Sequence, residues 1–142
     1  MIRHYVVTVL MLMFLFSCGS NGSGNQPYSE KRSNVKSTPV QVYEEKGTGA
    51  DSGTLKVELY ETEVALDYRM ISTFRGQTWE YLLTYPNFQI MPKPILRNAN
   101  APMSVDVGFL DADDQFHAFR LVKIENGNMV FKRLKEYQVT PQ

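Results

Sequence analysis

Residues 78–85 alternate so regularly that a half-buried β-strand is the natural structure for them. Trp79, Tyr81, Leu83 and Tyr85 fall on one side, and Thr78, Glu80, Leu82 and Thr84 on the other. A period of two rich in aromatic residues and threonine fits a pleated surface and not a helix. Arg75 and Gly76 break the pattern just upstream, as a hairpin turn would. Pro86 and Asn87 end it.

The same reading extends in both directions. Leu55, Val57 and Leu59 alternate with Lys56, Glu58 and Tyr60. Val64, Leu66, Tyr68 and Met70 then alternate in the opposite phase, so a turn or bulge is expected near residues 61–63. Leu55, Leu59, Leu66 and Met70 also fit a helical stripe; the aromatic and β-branched content of 55–71 favours strands. Residues 86–102 carry Pro86, Pro92, Pro94 and Pro102 and read as irregular, with central strands excluded and a short strand at Phe88 and Ile90 allowed. A meander follows. Val105, Val107 and Phe109 form one strand, a polar turn covers 111–115, and a return strand covers 116–124. Asn126 and Gly127 supply the positive φ angles of a type I′ turn, and 129–139 pairs back. These short strands without a helix predict an all-β domain: a small antiparallel β-sandwich, immunoglobulin-like, or a small barrel.

The segment before this domain differs in composition. Residues 19–24 hold only Gly, Ser and Asn, and Pro27, Pro39, Gly47, Gly49 and Gly53 continue a linker-like chemistry. A disordered tether over 18–53 is expected, with a reach of roughly 30 Å, leaving 54–142 as the β-rich domain. One weak strand signal interrupts it, where Val40 and Val42 alternate with Gln41 and Tyr43.

Arg3 and His4 precede an apolar run over residues 5–16. As a helix it would be roughly 18 Å long, short of the about 30 Å of a bilayer core. A basic start, a short apolar middle and small residues at the end describe a cleavable export signal over 1–17. Its last residues, Leu15, Ser17 and Cys18, resemble the lipobox of bacterial lipoproteins. The resemblance is confined to residues 1–18. It implies cleavage before Cys18, a diacylglyceryl group on the Cys18 sulfur and a further acyl chain such as palmitate on the new amino terminus. Two chains anchor stably where one is marginal. Cys18 is the single cysteine, and acylation would account for an otherwise leftover thiol. Gly19, in place of the Asp that retains many lipoproteins in the inner membrane, implies the outer membrane of the cell envelope, with the periplasmic or surface face left open.

Lys and Arg together number 15, as do Asp and Glu. A balanced charge gives no pull towards nucleic acid or an anionic surface, so the expected partners are membrane lipid through Cys18 and an envelope protein or glycan. No catalytic residue, metal or cofactor is expected. His117 has no second histidine beside it in the exported chain and reads as an ordinary strand residue. Asp111, Asp113 and Asp114 suggest a calcium loop, but the sixth and twelfth positions of an EF-hand pattern are Phe116 and Val122; a solvated turn is the better reading. Glu61 and Glu63 are expected as solvated charges rather than a glycosidase pair. Lys123, Lys132, Arg133 and Lys135 read as a solvated basic face, with phosphate or an acidic partner as the alternative. Trp79, Tyr81, Tyr85 and Phe88 are the candidate binding surface if they face outward, and core if inward.

The resulting expectation is a lipid-anchored, non-enzymatic binding or accessory module. The alternatives are an envelope glycan hydrolase, built from carboxylates brought together by the fold, and an inhibitor or immunity lipoprotein.

Overall fold

A computed structural model describes residues 31–86 and 91–137. The signal segment, Cys18, Phe88 and Ile90 lie outside these residues.

The fold is all-β. One four-stranded antiparallel sheet contains β1 (Gln41–Gly47), β2 (Gly53–Glu61), β3 (Asp67–Phe74) and β4 (Gln77–Thr84) in that order. The other contains β5 (Lys93–Asn98), β6 (Ser104–Leu110), β7 (Phe116–Glu125) and β8 (Asn128–Arg133), also in order. Each sheet is an up-and-down meander. Immunoglobulin topology would exchange strands between the sheets through Greek-key connections, and this chain passes from one sheet to the other only between β4 and β5. The only helical element among the described residues is a 3-10 turn at Gly49–Asp51, and no helix among them is long and apolar enough to cross a membrane.

The inner faces are the ones the alternation assigns. Leu55, Val57 and Leu59 of β2 are fully buried, with Met70 and Phe74 of β3 beside them. Val105, Val107 and Phe109 of β6 and Val122 and Ile124 of β7 supply the facing layer. The helical stripe considered for 55–71 is therefore absent. The expected phase change is a loop at 62–66 between β2 and β3.

Both tight hairpin turns have left-handed backbone at both central residues. Arg75 and Gly76 have φ of 47° and 76°, and Asn126 and Gly127 have φ of 53° and 75°, as type I′ turns require. Arg75 is an unusual choice there. Its guanidinium donates to the carbonyls of Ser52 at 2.7 Å and Ala50 at 2.8 Å, which offsets the strain and ties two loops together. Asp51 Oδ1 accepts the Gly127 N–H at 2.7 Å, so this end of the sandwich is cross-linked between the sheets.

Three expectations need correction. The tether does not extend to residue 53, because β1 pairs with β2 from Gln41↔Leu59 to Gly47↔Gly53. As an edge strand with one half-buried face, β1 has too weak an apolar pattern to stand out. Residues 86–102 are not wholly irregular, because Lys93–Asn98 forms β5 with Pro94 opposite Phe109. A proline is tolerated there because β5 is an edge strand. The final strand ends at Arg133 rather than Val139.

β7 contains a bulge that the pattern hides. Val107 pairs with Arg120 and Gly108 with Ala118, so Phe119 is the extra residue. The bulge resets the phase and lets both Phe119 and Val122 point into the core. Beside it, Gly108 leaves room for the Phe116 ring; a Cβ there would sit 2.7 Å from that ring and 2.2 Å from the His117 carbonyl oxygen.

Candidate functional site

The candidate surface residues separate by depth. Tyr85 is core: it is fully buried, 4.9 Å from Tyr68 and 5.0 Å from Phe119 between ring centroids. Burial, and then the neighbouring Tyr68, push its hydroxyl pKa far above the usual phenol value. That hydroxyl has no hydrogen-bond partner among the described residues. Phe88 lies outside them. Trp79 and Tyr81 are half-buried and remain as a pair.

Trp79 and Tyr81 are on the inner side of β4, the edge strand of its sheet. Tyr81 reaches across to β8, the edge strand of the other sheet, and stacks on Phe131 with centroids 4.2 Å apart and planes 11° apart. Trp79 meets Tyr81 edge-on at 6.3 Å. Parallel stacking and edge contact are both favourable ring geometries. These three rings close one long side of the sandwich. Sequence reasoning found Trp79 and Tyr81 but not Phe131, because the contact joins strands that are distant in the chain. Such a strip of half-covered rings can stack on a sugar ring or receive an apolar side chain.

The opposite long side is closed by polar groups. Tyr43 of β1 accepts a hydrogen bond from Asn98 Nδ2 of β5 at 3.1 Å and donates to Glu45 Oε2 at 2.5 Å. Burial and the adjacent Glu45 carboxylate push its pKa up to about 12.

His117 is a strand residue, as expected, with a partner the sequence did not reveal. Its Nε2 lies 2.6 Å from Asp111 Oδ2. Asp111 Oδ1 also accepts the N–H groups of Asp113 and Gln115, each at 2.9 Å. The hydrogen bond from His117 comes first among the causes that hold the Asp111 carboxyl below its usual pKa, followed by that from Gln115. The pair thus caps the β6–β7 turn. The ring of His117 stacks on Phe109 and meets Tyr137 edge-on, and no serine, threonine or cysteine hydroxyl or thiol is among its described partners. Among the described residues no three His, Cys, Asp or Glu side chains are grouped to hold a metal.

Of the other candidate charges, Lys123 and Lys132 meet on the outer face beside Glu125, and the rest are apart. Glu61 is 4.0 Å from Arg32, while Glu63 is exposed in the loop. Lys123 pairs with Glu125 at 2.8 Å. Lys132 lies opposite Leu121 on the outer face, and Arg133, opposite Arg120, pairs with Glu136. The basic residues therefore divide between two faces.

Arg32 is the residue that sequence reasoning missed altogether. Its side chain is only 11% exposed. Its guanidinium donates to the carbonyls of Thr62 at 2.6 Å, Val64 at 2.8 Å, Asp67 at 3.1 Å and Ala65, and it lies 4.5 Å from the Tyr68 ring centroid. It fastens the segment ahead of β1 to the loop between β2 and β3. A lone arginine in a linker-like stretch gives no sequence signal for this.

Comparisons with protein families, curated proteins and solved structures return no match.

Proposed function

We propose that this chain is a lipid-anchored protein of the bacterial cell envelope, held at the outer membrane, whose β-sandwich is a non-enzymatic binding or accessory module. The observation that carries this reading is the run ending in Leu15, Ser17 and Cys18, followed by a linker-like stretch before Arg32. An anchor and spacer raise the local concentration of a domain near envelope partners without any new contact. The aromatic strip of Trp79, Tyr81 and Phe131 is the surface proposed to meet an envelope protein or glycan.

Two measurements test it. Cells grown with radiolabelled palmitate should label the natural chain and not a Cys18→Ala chain; absence of label from both would overturn the anchor. The natural chain, recovered from cells in detergent, should retain a specific envelope protein or glycan. A Trp79→Ala chain should lose about 1 kcal/mol or more of that binding, as truncation of an interface aromatic does. Retained glycan released in cut form would instead favour a hydrolase.

A further inference from the structure

The four edge strands are unequally protected against pairing with another strand. β5 carries Lys93, Pro94 and Arg97, β8 ends in Lys132 and Arg133, and β1 carries Glu44, Glu45 and Lys46. Prolines and charges of this kind, lysine above all, are how natural edges avoid pairing. β4 has one charge, Glu80, in an otherwise neutral, strand-forming sequence, and its Leu82 is 66% exposed.

The backbone of β4 can be assigned residue by residue. A two-residue I′ loop makes its flanking pair, here Phe74 and Gln77, a hydrogen-bonded pair, so odd-numbered residues of β4 point their N–H and C=O groups at β3. The Tyr85 N–H agrees, donating to the Leu66 carbonyl just before β3 at 2.9 Å. The outward groups are therefore those of Thr78, Glu80, Leu82 and Thr84, and they have no backbone partner among the described residues.

We propose that two copies of this chain pair β4 with β4 in antiparallel, about a two-fold axis at Tyr81, extending the first sheet across both molecules. The sequence of β4 is complementary to itself in this register. Thr78 faces Thr84 of the second copy, Trp79 faces Leu83, Glu80 faces Leu82, and Tyr81 faces its own symmetry mate. Every outward N–H and C=O then finds a partner. Threonine pairs and aromatic–aliphatic pairs are favourable neighbours across strands. Shifting the register by two residues one way places Glu80 against Glu80, which is unfavourable; shifting it the other way sets Thr78 against Pro86, which has no N–H to give. Arg69, opposite Leu82 within each sheet, lies 3.9 Å from Glu80 of its own chain, so the one carboxylate of β4 enters the seam with its charge partly offset. This pairing goes beyond the anchored-module reading and stands whether or not Cys18 is acylated. A single strand pair buries less than the about 1,200 Å² of a standard interface, so the association is weak and is favoured where copies share one surface.

Disulfide trapping tests the register directly. Full-length chains carrying Cys18→Ala, one also with Thr78→Cys and the other with Thr84→Cys, are mixed in detergent and oxidised with copper phenanthroline. Both positions are exposed, and residues opposed in a hydrogen-bonded pair lie about 5.5 Å apart at Cα, within disulfide range. A covalent dimer should form in the mixture and not in either chain alone. Adding Leu82→Glu to both chains sets like charges opposite each other and should lower the yield about tenfold, as a tenfold weaker association would. Adding Glu80→Lys as well should restore it. Equal yields from mixed and separate chains would overturn the proposal. So would a yield indifferent to Leu82→Glu, or one not rescued by Glu80→Lys in chains whose melting temperature is unchanged.

Discussion

The two long sides of the sandwich solve the same closure problem with opposite chemistry. Between β1 and β5, Tyr43 joins the sheets through its hydroxyl, which is engaged by Asn98 and Glu45. Between β4 and β8, Tyr81 joins them through its ring, stacked on Phe131. A hydroxyl with both partners in place has little left to offer a ligand. A ring has two faces and an edge, and Trp79 and Tyr81 are only half covered. The edges differ in the same sense, with β1 charged and β4 nearly neutral. The polar side is finished, whereas the aromatic side retains a capacity for contact.

Substitutions can break this contrast, beginning with the largest effect. Phe131→Ala removes the stacking partner of Tyr81 from a half-buried position and should cost about 2–3 kcal/mol in urea unfolding, below the full range for buried phenylalanine. If it costs no more than an ordinary surface change, the rings are not closing the side. Tyr43→Phe should cost about 1 kcal/mol, because it keeps the ring and removes the bonded hydroxyl.

Titration sharpens the same comparison. The Tyr43 phenol has its pKa raised on folding, from an ordinary value near 10.0 to about 12. Its contribution is therefore complete below the unfolded value and is lost as pH rises through the folded one. The natural protein should lose stability between pH of about 10 and about 12 more steeply than Tyr43→Phe does. Tyr68 and Tyr85, also raised by burial, add a background slope common to both chains.

The smallest effect has the opposite sign. Ser72 lies in the row Tyr43–Val57–Ser72–Trp79, which spans the first sheet from one side to the other. Its hydroxyl is buried without a partner among the described residues. Ser72→Ala should raise stability by up to about 1 kcal/mol, since it deletes an unsatisfied polar group. A loss of stability would mean that the hydroxyl has a partner such as a bound water.

Much of the fold was legible because its signals are local. Leu55, Val57 and Leu59 announce β2 by alternation, Asn126 and Gly127 announce their turn, and the break at Arg75 and Gly76 announces another. What was hidden depends on neighbours distant in the chain. β1 is half-buried at an edge and resembles linker; β5 is an edge strand in which Pro94 looks disruptive; and the bulge at Phe119 shows only once β6 is in register beside it. Of the candidate surface, Trp79 and Tyr81 were readable as one face of a strand. Alternation placed Tyr85 on that face as well, but it could not say that the face turns fully inward at the strand's end. Phe131 and the pairing of His117 with Asp111 required the fold.

The grip of Arg32 has a mechanical consequence. Tension arriving along the backbone from the amino-terminal side reaches this guanidinium before it reaches β1. Peeling would have to tear one side chain from the carbonyls of Thr62, Val64, Ala65 and Asp67 together, rather than unzip a strand rung by rung. Arg32 thus serves as a strain relief, passing a pull on the leading segment to the loop between two inner strands and sparing the ladder between β1 and β2.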